Sequence, residues 1–160
     1  AARLRHPNIA AADDADQSAG LPFLVMEYVD GSDLSALVKK QGPLAVSQAI
    51  TCIFQAARGL DFAHKKGVVH RDIKPGNLLL SAEGVVKILD MGLARIDDAL
   101  GASASVQDGL TQSGQVMGTV DYMAPEQVTG REVTPLVDIY AFGMLLFELL
   151  TGERGVVTKQ

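Results

Sequence analysis

The amino-acid sequence predicts an α+β fold, and three features of the chain indicate that class. Short apolar, β-prone runs at residues 23–29 and within 78–89 have the length and the bounding turn residues of strands. A longer segment at 46–66 repeats apolar side chains at helical spacing, and the segment 134–150 has helix start and stop signals. Helix is therefore expected to dominate, with a smaller share of short strands.

The N-terminal quarter is expected to combine strands with one short helix. Residues 3–7 resemble the end of a helix, because the proline at their end disfavours helical geometry in the residue before it. A short strand is expected at 9–12, and the polar segment 13–20 is expected to form a loop. The run FLVMEYV at 23–29 predicts a buried strand, and Ser32 is the expected N-cap of a helix that continues to Lys40.

The remainder is expected to hold two long helices, a hairpin and one long loop. The helix at 46–66 should end at Gly67, and two strands joined by a turn at 81–84 should form the hairpin. The segment 97–118 is rich in Gly, Ser, Ala and Gln and is expected to be a long loop. The last helix should have Thr134 as its cap, Pro135 in its first turn and Gly152 as its stop signal. The apolar residues that define the buried face of the first long helix are expected to be Val46, Ala49, Ile50, Ile53, Ala57 and Leu60.

The composition excludes several classes of protein. A chain of 160 residues is about one domain long, and its apolar content of 48% excludes intrinsic disorder. The net charge of −5 argues against binding to nucleic acid or to an anionic membrane. Cys52 is the single cysteine, which excludes an internal disulfide framework and favours a reducing, intracellular compartment. The longest apolar stretch, 139–147, is too short to span a bilayer, and the N-terminus lacks the apolar core of a signal peptide.

Three motifs that carry chemistry follow one another along the chain. The string HRDIKPGN occupies 70–77, the triplet Asp-Met-Gly occupies 90–92 directly after a predicted strand, and GTVDYMAPE occupies 118–126. In order and context they resemble the catalytic loop, the metal-binding Asp-x-Gly and the Ala-Pro-Glu signatures of protein kinases. Together with LVMEYVDGSDL at 24–34, they are most similar to bacterial Ser/Thr kinases of eukaryotic type. The resemblance extends from residue 4 to 152.

The resemblance implies a catalytic set for phosphoryl transfer. Asp72 would accept the proton of the attacking hydroxyl, and Lys74 would contact the transferring phosphate as a cation. Asn77 and Asp90 would offer oxygen ligands to Mg²⁺. Taken singly, either residue is equally explained as a turn residue, so the joint occurrence of the motifs favours the kinase. Asp138, at the start of the last helix, resembles the family's buried aspartate that holds the catalytic-loop backbone. An isolated acid in an apolar helix needs partners, which supports that role.

The resemblance also implies an ATP site at a hinge between two lobes. Met26 would be the gatekeeper, and the backbone of Glu27 and Val29 would pair with the adenine edge. Asp33 would meet the ribose hydroxyls, although an acid in the first turn of a helix is explained equally well by the helix macrodipole. Leu79 would form the apolar floor under the adenine, with plain core packing as the alternative.

Regulation by phosphorylation is expected from the same resemblance. In kinases with an arginine before the catalytic aspartate, here Arg71, a phosphate on the activation segment pairs with it and orders the loop. Thr111 and Ser113 are the first candidate acceptors, although either could be an ordinary loop residue. Thr119 would help to position the substrate peptide, or its hydroxyl would simply satisfy the backbone.

The chain departs from the family pattern at both ends. It holds no G-x-G-x-x-G loop and no Val-Ala-Ile-Lys strand, and the helices that normally follow residue 152 do not occur. The expected organisation is a partial kinase domain at 1–152, with an N-lobe remnant at 1–27, the hinge and C-lobe at 28–152 and an unassigned tail at 153–160. These 160 residues alone are therefore expected to be nearly inactive, because nothing in them covers the ATP phosphates.

The leading hypothesis is a Ser/Thr protein kinase that uses ATP and Mg²⁺ on protein substrates and self-associates for autophosphorylation. Its expected location is the cytoplasm, as a free protein or as the cytoplasmic domain of a membrane-anchored parent. One alternative is a non-catalytic binding or scaffold module derived from a kinase, which the missing phosphate loop favours and the intact metal ligands disfavour. Another is an ATP-dependent phosphotransferase acting on small molecules, which the motif at 118–126 disfavours by resemblance.

Overall fold

A computed structural model describes residues 4–18, 21–91 and 120–155. Strands and helices alternate in short groups along these ranges, and the long helices supply most of the regular structure. The strands are β1 (Ala12–Ser18), β2 (Leu21–Met26), β3 (Gly31–Asp33), β4 (Leu78–Ser81) and β5 (Val86–Ile88). The helices are α1 (Leu34–Gln41), α2 (Val46–Lys65), α3 (Pro125–Val128) and α4 (Leu136–Thr151), with 3₁₀ turns at Pro75–Asn77 and Val120–Tyr122.

The N-terminal strands differ from the sequence prediction. The polar segment after Ala12 is strand β1 rather than a loop, because its backbone pairs antiparallel with β2 from Ala12↔Met26 to Ser18↔Leu21. Residues 4–6 are not helical, and 9–11 lie outside β1. The strand expected at 23–29 ends at Met26, and its Phe23 side chain is exposed rather than buried. Backbone pairing with an apolar neighbour has outweighed the low β-propensity of the polar run.

The predicted hairpin is confirmed as β4 and β5, and β3 pairs with the other side of β4 to give a three-stranded sheet in the order β3–β4–β5. The strands β4 and β5 pair antiparallel, with Leu78 opposite Ile88. Residues 8–10 then run beside β5, because Ile88 N donates to Asn8 O at 3.0 Å and Ala10 N donates to Ile88 O at 2.9 Å. The Asn8 side chain adds a bond from Nδ2 to Val86 O at 2.9 Å. The N-terminal segment is thereby fixed to the strand that leads to Asp90.

Helix α2 lies within one residue of its predicted range, and its predicted apolar face is confirmed at Ala49 and Leu60, which are buried, and at Ile53 and Ala57, which pack against the core. The prediction is wrong at the N-terminal end of that face. Val46 and Ile50 are exposed, at 63% and 55% of their surface. The face that packs inward is made of smaller residues, because α2 lies close to its neighbours. A Cβ added to Gly59 would lie 2.7 Å from Asn8 O, which shows how near the backbones approach. The buried residues of α2 are Ala49, Cys52, Ala56, Gly59, Leu60 and Ala63.

The ends of the other helices correct the predicted cap of α1 and the predicted first residue of α4, and they confirm the predicted end of α4. Helix α1 is capped by Asp33, whose Oδ1 accepts from Ala36 N at 2.8 Å, whereas Ser32 belongs to β3. Helix α4 begins at Leu136, one residue later than expected, while Gly152 ends it in the left-handed conformation with φ of 75°. The long loop expected at 97–118 lies outside the described residues.

One apolar core joins the helices to the three-stranded sheet. Leu34 of α1, Leu60 of α2, Ile88 of β5 and Leu145 of α4 are each at most 1% exposed and belong to the same cluster. Cys52 is part of this core, and burial raises the pKa of its thiol. In the part of the chain that the structure describes, no helix combines the length and apolarity needed to cross a bilayer.

Candidate active site

An irregular loop connects α2 to β4 and carries the HRDIKPGN motif. Two non-glycine residues of the described ranges have positive φ, Arg71 at 70° and Asp90 at 60°. A side chain in the left-handed region costs on the order of 1–3 kcal/mol unless its surroundings impose that conformation. Arg71 directly precedes the predicted catalytic Asp72, and Asp90 is itself a predicted metal ligand. The backbone strain therefore falls on the two segments that the sequence marks as functional.

The α4 residue Asp138 holds the start of this loop. Its side chain is 1% exposed, and its two oxygens accept from two successive backbone N–H groups: Oδ2 from His70 N at 2.9 Å and Oδ1 from Arg71 N at 2.8 Å. Oδ2 also lies 2.7 Å from Nε2 of His64, near the end of α2. These contacts compensate the cost of burying a carboxylate and fix the loop on the two long helices. They support the role expected for Asp138.

Two side chains of the loop, Lys74 and Asn77, converge on the Asp72 carboxylate. Lys74 Nζ donates to Asp72 Oδ2 at 2.7 Å, and Asn77 Nδ2 donates to the same oxygen at 3.0 Å. Asn77 Nδ2 also donates to the Asp72 carbonyl oxygen at 2.7 Å, which ties the 3₁₀ turn back to the loop. Asp72 keeps 42% of its side-chain surface exposed, so a substrate can reach it. The structure thus brings together the base, the cation and the amide that the sequence predicts.

The residues that follow β5 bring the backbone of Asp90 beside the same loop. Leu89 N donates to Asn77 O at 2.9 Å, and His70 Nε2 lies 2.9 Å from Leu89 O. The residue immediately before Asp90 is therefore bound to both ends of the HRDIKPGN loop. Met91 on the other side is buried in the core at 3% exposure, so a methionine fills the position where the family usually has phenylalanine.

The donor set of Asn77 and Asp90 fits magnesium. Because Asn77 uses Nδ2 for its contacts with Asp72, its Oδ1 is the atom left to bind a cation. A carboxylate and an amide oxygen are hard ligands, and Mg²⁺ commonly takes only one or two protein carboxylates alongside phosphate oxygens and water. Among residues 4–18, 21–91 and 120–155, no cluster of three or more His, Cys, Asp or Glu side chains could hold a metal by itself.

The predicted hinge is anchored by a side chain that the sequence gave no reason to single out. Glu27 Oε1 lies 2.7 Å from Lys87 Nζ of β5, and Glu27 Oε2 accepts from Ala11 N at 3.1 Å. The hydrogen bond from Lys87 lowers the pKa of the Glu27 carboxyl, with the Ala11 bond adding to the effect. The Glu27 backbone N also donates to Ala11 O at 2.8 Å. Glu27 thereby connects the hinge to the strand that carries Asp90.

The other predicted nucleotide contacts lie around this hinge. Met26 ends β2 and Val29 follows it, both half-buried. Asp33 and Leu79 are cross-strand partners in the three-stranded sheet, so the structure does bring these two together. The Asp33 carboxylate is the N-cap of α1, which agrees with the structural alternative considered for it and leaves a contact to ribose as a prediction.

Comparison with known proteins decides the family. The family model of the protein kinase domain matches residues 1–159. The chain belongs to the protein kinase family. Over 157 residues the chain is 45% identical to serine/threonine-protein kinase PknB of Mycobacterium leprae (strain TN), covering 96% of this chain and 24% of that protein.

Two further relatives have similar names. The chain is 41% identical over 152 residues to the probable serine/threonine-protein kinase PknB of Lactococcus lactis subsp. lactis (strain IL1403), covering 95% of this chain and 23% of that protein. It is 40% identical over 158 residues to serine/threonine-protein kinase PknA of Mycobacterium tuberculosis (strain ATCC 25177 / H37Ra), covering 96% and 35%. The chain spans between 23% and 35% of the length of these three relatives. The expected α+β kinase fold and the resemblance to bacterial Ser/Thr kinases are confirmed.

The ion pair between Glu27 and Lys87 predicts that the free energy of unfolding depends on pH. Since the folded state lowers the pKa of Glu27 below its ordinary 4.5, the pair contributes stability above that pH and loses it as the pH falls through the lowered value. Replacing Glu27 with glutamine keeps an acceptor for Ala11 N but removes the charge beside Lys87. We expect this variant to lose about 0.2–1 kcal/mol of unfolding free energy at pH 7, since the pair is partly exposed. The difference from the parent should shrink at a second, acid pH as the pH falls through the lowered pKa.

Urea denaturation at the two pH values measures the effect. The matched control is Asp61→Asn, which breaks the more exposed Asp61–Lys65 pair on α2 and should change the unfolding free energy less at pH 7. An equal loss for Glu27→Gln at both pH values would show that the charge is not responsible.

The predicted regulatory residues are only partly visible in the structure. Arg71 lies in the loop with its backbone bound to Asp138, whereas Thr111, Ser113 and Thr119 lie outside the described residues. Whether a phosphate on that segment pairs with Arg71 stays a prediction.

Besides the Glu27 side chain, two further contacts were missed by the sequence analysis. The α4 residue Glu148 is 7% exposed, and Tyr122 Oη donates a hydrogen bond to its Oε2. Burial and the adjacent carboxylate raise the pKa of the Tyr122 phenol, so it stays protonated. An acid on an apolar helix was the signal used for Asp138, and applied to Glu148 it would have found this pair. The second is the hydrogen bond that Gln127 Nε2 donates to the Arg71 carbonyl oxygen at 2.8 Å. No sequence signal marks it, because the two residues are far apart in sequence.

Proposed function

We propose that the protein is a Ser/Thr protein kinase, which transfers the γ-phosphate of ATP to serine or threonine hydroxyls of proteins. The single observation that carries the proposal is the convergence of Lys74 Nζ and Asn77 Nδ2 on Asp72 Oδ2, at 2.7 and 3.0 Å. The end of the β5 segment, bound to Asn77 through Leu89, brings Asp90 to the same loop. Family membership and the names of the relatives support the same activity.

The residues divide the work of an in-line transfer. Asp72 orients the substrate hydroxyl and accepts its proton as the new oxygen–phosphorus bond forms and the bond to the leaving ADP breaks. Lys74 supplies a positive charge. Its ammonium group contacts Asp72 in this structure and can contact the phosphoryl oxygens instead when the substrate is bound. Asn77 Oδ1 and the Asp90 carboxylate would hold Mg²⁺, which neutralises phosphate charge when bound.

The strain at Arg71 and Asp90 has a use in this mechanism. Preorganised groups avoid the cost of reorganisation at the moment of reaction. Asp138 holds the backbone ahead of Asp72, and the bond between Leu89 and Asn77 holds the backbone ahead of Asp90. The geometry of both acids is therefore set before any substrate arrives.

The hinge and regulatory assignments extend the proposal. Met26 would act as gatekeeper, and the backbone of Glu27 and Val29 would meet the adenine. The division into an N-lobe remnant at 1–27, a hinge and C-lobe at 28–152 and a tail at 153–160 also stays a proposal, as does a cytoplasmic location. A phosphate on the segment containing Thr111 and Ser113, added by a second copy of the kinase, would pair with Arg71.

Phosphate transfer to synthetic peptides tests the proposed function. We expect the full natural protein carrying this sequence to phosphorylate peptides with a single Ser or Thr, to spare the matched Ala and Tyr peptides, and to stop when EDTA removes Mg²⁺. Mass spectrometry of the peptides and release of ADP are the measurements. Binding of Mg-ATP without transfer to any hydroxyl would favour the non-catalytic scaffold instead.

A further inference from the structure

Gln127 connects the α3 segment to the catalytic loop. It lies in the α3 helix directly after the Ala-Pro-Glu motif, and its side chain is half-buried. Its Oε1 accepts from Ala124 N at 3.0 Å, which caps the start of α3. Its Nε2 donates to the carbonyl oxygen of Arg71 at 2.8 Å, across a separation of 56 residues in sequence. One side-chain amide therefore joins two segments that the chain keeps far apart.

A hydrogen bond to the Arg71 carbonyl restrains the peptide group that leads into Asp72. Its peptide group is shared with Asp72, whose N–H points the opposite way within the same plane and donates to His70 Nδ1 at 3.2 Å. Arg71 has a φ of 70°, and its own N donates to Asp138 Oδ1 at 2.8 Å. The strained residue is thus held from α4 at its N–H and from α3 at its carbonyl. The peptide plane that leads into Asp72 has little freedom to rotate.

We propose that Gln127 is a positioning residue for Asp72, so that the placement of α3 sets the orientation of the catalytic carboxylate. The inference rests on the proposed function, because it assumes that Asp72 acts on the substrate hydroxyl. The residue type follows from the contacts: an amide side chain can accept from Ala124 N and donate to Arg71 O at once. A glutamate keeps the acceptor but loses the donor, a methionine loses both, and an asparagine is one methylene too short.

Kinetics on the full natural protein separate this role from a merely structural one. We expect Gln127→Glu and Gln127→Met to lower kcat by roughly 10- to 100-fold, since small misplacements of a reacting group have effects of that size. The KM for ATP should stay within about twofold of the parent, because no nucleotide contact is proposed for α3. The matched control is Gln48→Met, which removes an equivalent capping glutamine on α2, where Oε1 accepts from Ala45 N at 3.4 Å. It should leave kcat unchanged.

A second measurement follows the peptide group itself. Hydrogen exchange and the ¹⁵N resonance of the Asp72 amide should change in both Gln127 variants and not in Gln48→Met. Gln127→Glu retains the cap of α3, so a lower kcat with an unchanged melting temperature points to the lost donor rather than to unfolding.

The possible outcomes distinguish the inference from the proposed function. If the parent protein transfers phosphate and both Gln127 variants keep its kcat and its Asp72 amide exchange, the inference is overturned. If the parent transfers none, the proposed function fails, and the amide exchange of the variants still decides whether Gln127 holds the Arg71–Asp72 peptide.

Discussion

Replacing Asp138 with alanine is expected to lower the unfolding free energy by about 2–6 kcal/mol. The variant leaves the N–H groups of His70 and Arg71 buried without their acceptor, and each such group costs about 1–3 kcal/mol. A small domain is stable by only about 5–15 kcal/mol, so the loss is a large fraction of the total. Urea denaturation at pH 7 measures it directly.

Asparagine at the same position refines the test. Its amide presents one oxygen and one NH₂ group, so whichever way it turns, an N–H donor faces either His70 N or Arg71 N. We expect a cost between that of alanine and that of the parent. Asp121→Asn is a suitable control, because Asp121 pairs with Arg154 at 3.4 Å on a part-exposed surface and its loss should cost at most about 1 kcal/mol. A cost for Asp138→Ala no larger than this control would contradict the prediction.

The same variant also tests how the loop is held for catalysis. Without Asp138, nothing in the described contacts of α4 holds the left-handed conformation of Arg71 at its N–H. Gln127 would remain bound to the Arg71 carbonyl. The two residues contact one strained backbone unit, so their effects on kcat should be coupled rather than additive.

Motifs in the sequence were sufficient to predict that the side chains of Asp72, Lys74 and Asn77 lie together. Asp72, Lys74 and Asn77 lie within six residues of one another, so a single loop conformation brings them together and little else has to be known. The hairpin was predictable for the same reason, because its strands are adjacent in sequence and end in recognisable turn residues. Local chemistry fixed these elements before any long-range packing was considered.

Contacts between distant segments were not predictable. The burial of α2 depends on how closely Asn8 and α4 approach, and this selects Gly59 and the alanines over Val46 and Ile50. A periodicity argument identifies a helix but weights large apolar residues, so it included the exposed Val46 and Ile50 and left out Cys52, Ala56, Gly59 and Ala63. The loop predicted for the polar segment 13–20 was wrong for a related reason. A polar strand such as β1 is specified by its pairing with β2, which local sequence does not show.

Replacing Asp72 with asparagine is expected to have the largest effect on activity. The substitution preserves size and removes the group proposed to accept the substrate proton, so we expect kcat to fall by about 10²–10⁴-fold. The KM for ATP should change little, because the proposed nucleotide contacts lie at the hinge. Initial rates with a Ser peptide measure the loss in the full natural protein. A variant that kept more than a tenth of the parent kcat would exclude Asp72 as the base.

The change at Asp72 also removes the negative charge that Lys74 Nζ contacts at 2.7 Å, so the effect of Lys74 has to be measured separately. A double-mutant cycle with Lys74→Met measures it. If Asp72 and Lys74 act as one unit on the same transferring group, the double variant should be hardly slower than Asp72→Asn alone. If the two effects multiply instead, the ion pair contributes nothing beyond its separate members, and Lys74 must act on the phosphate independently of Asp72. Asp61→Asn, which disrupts an exposed pair remote from the loop, supplies the background against which both rates are read.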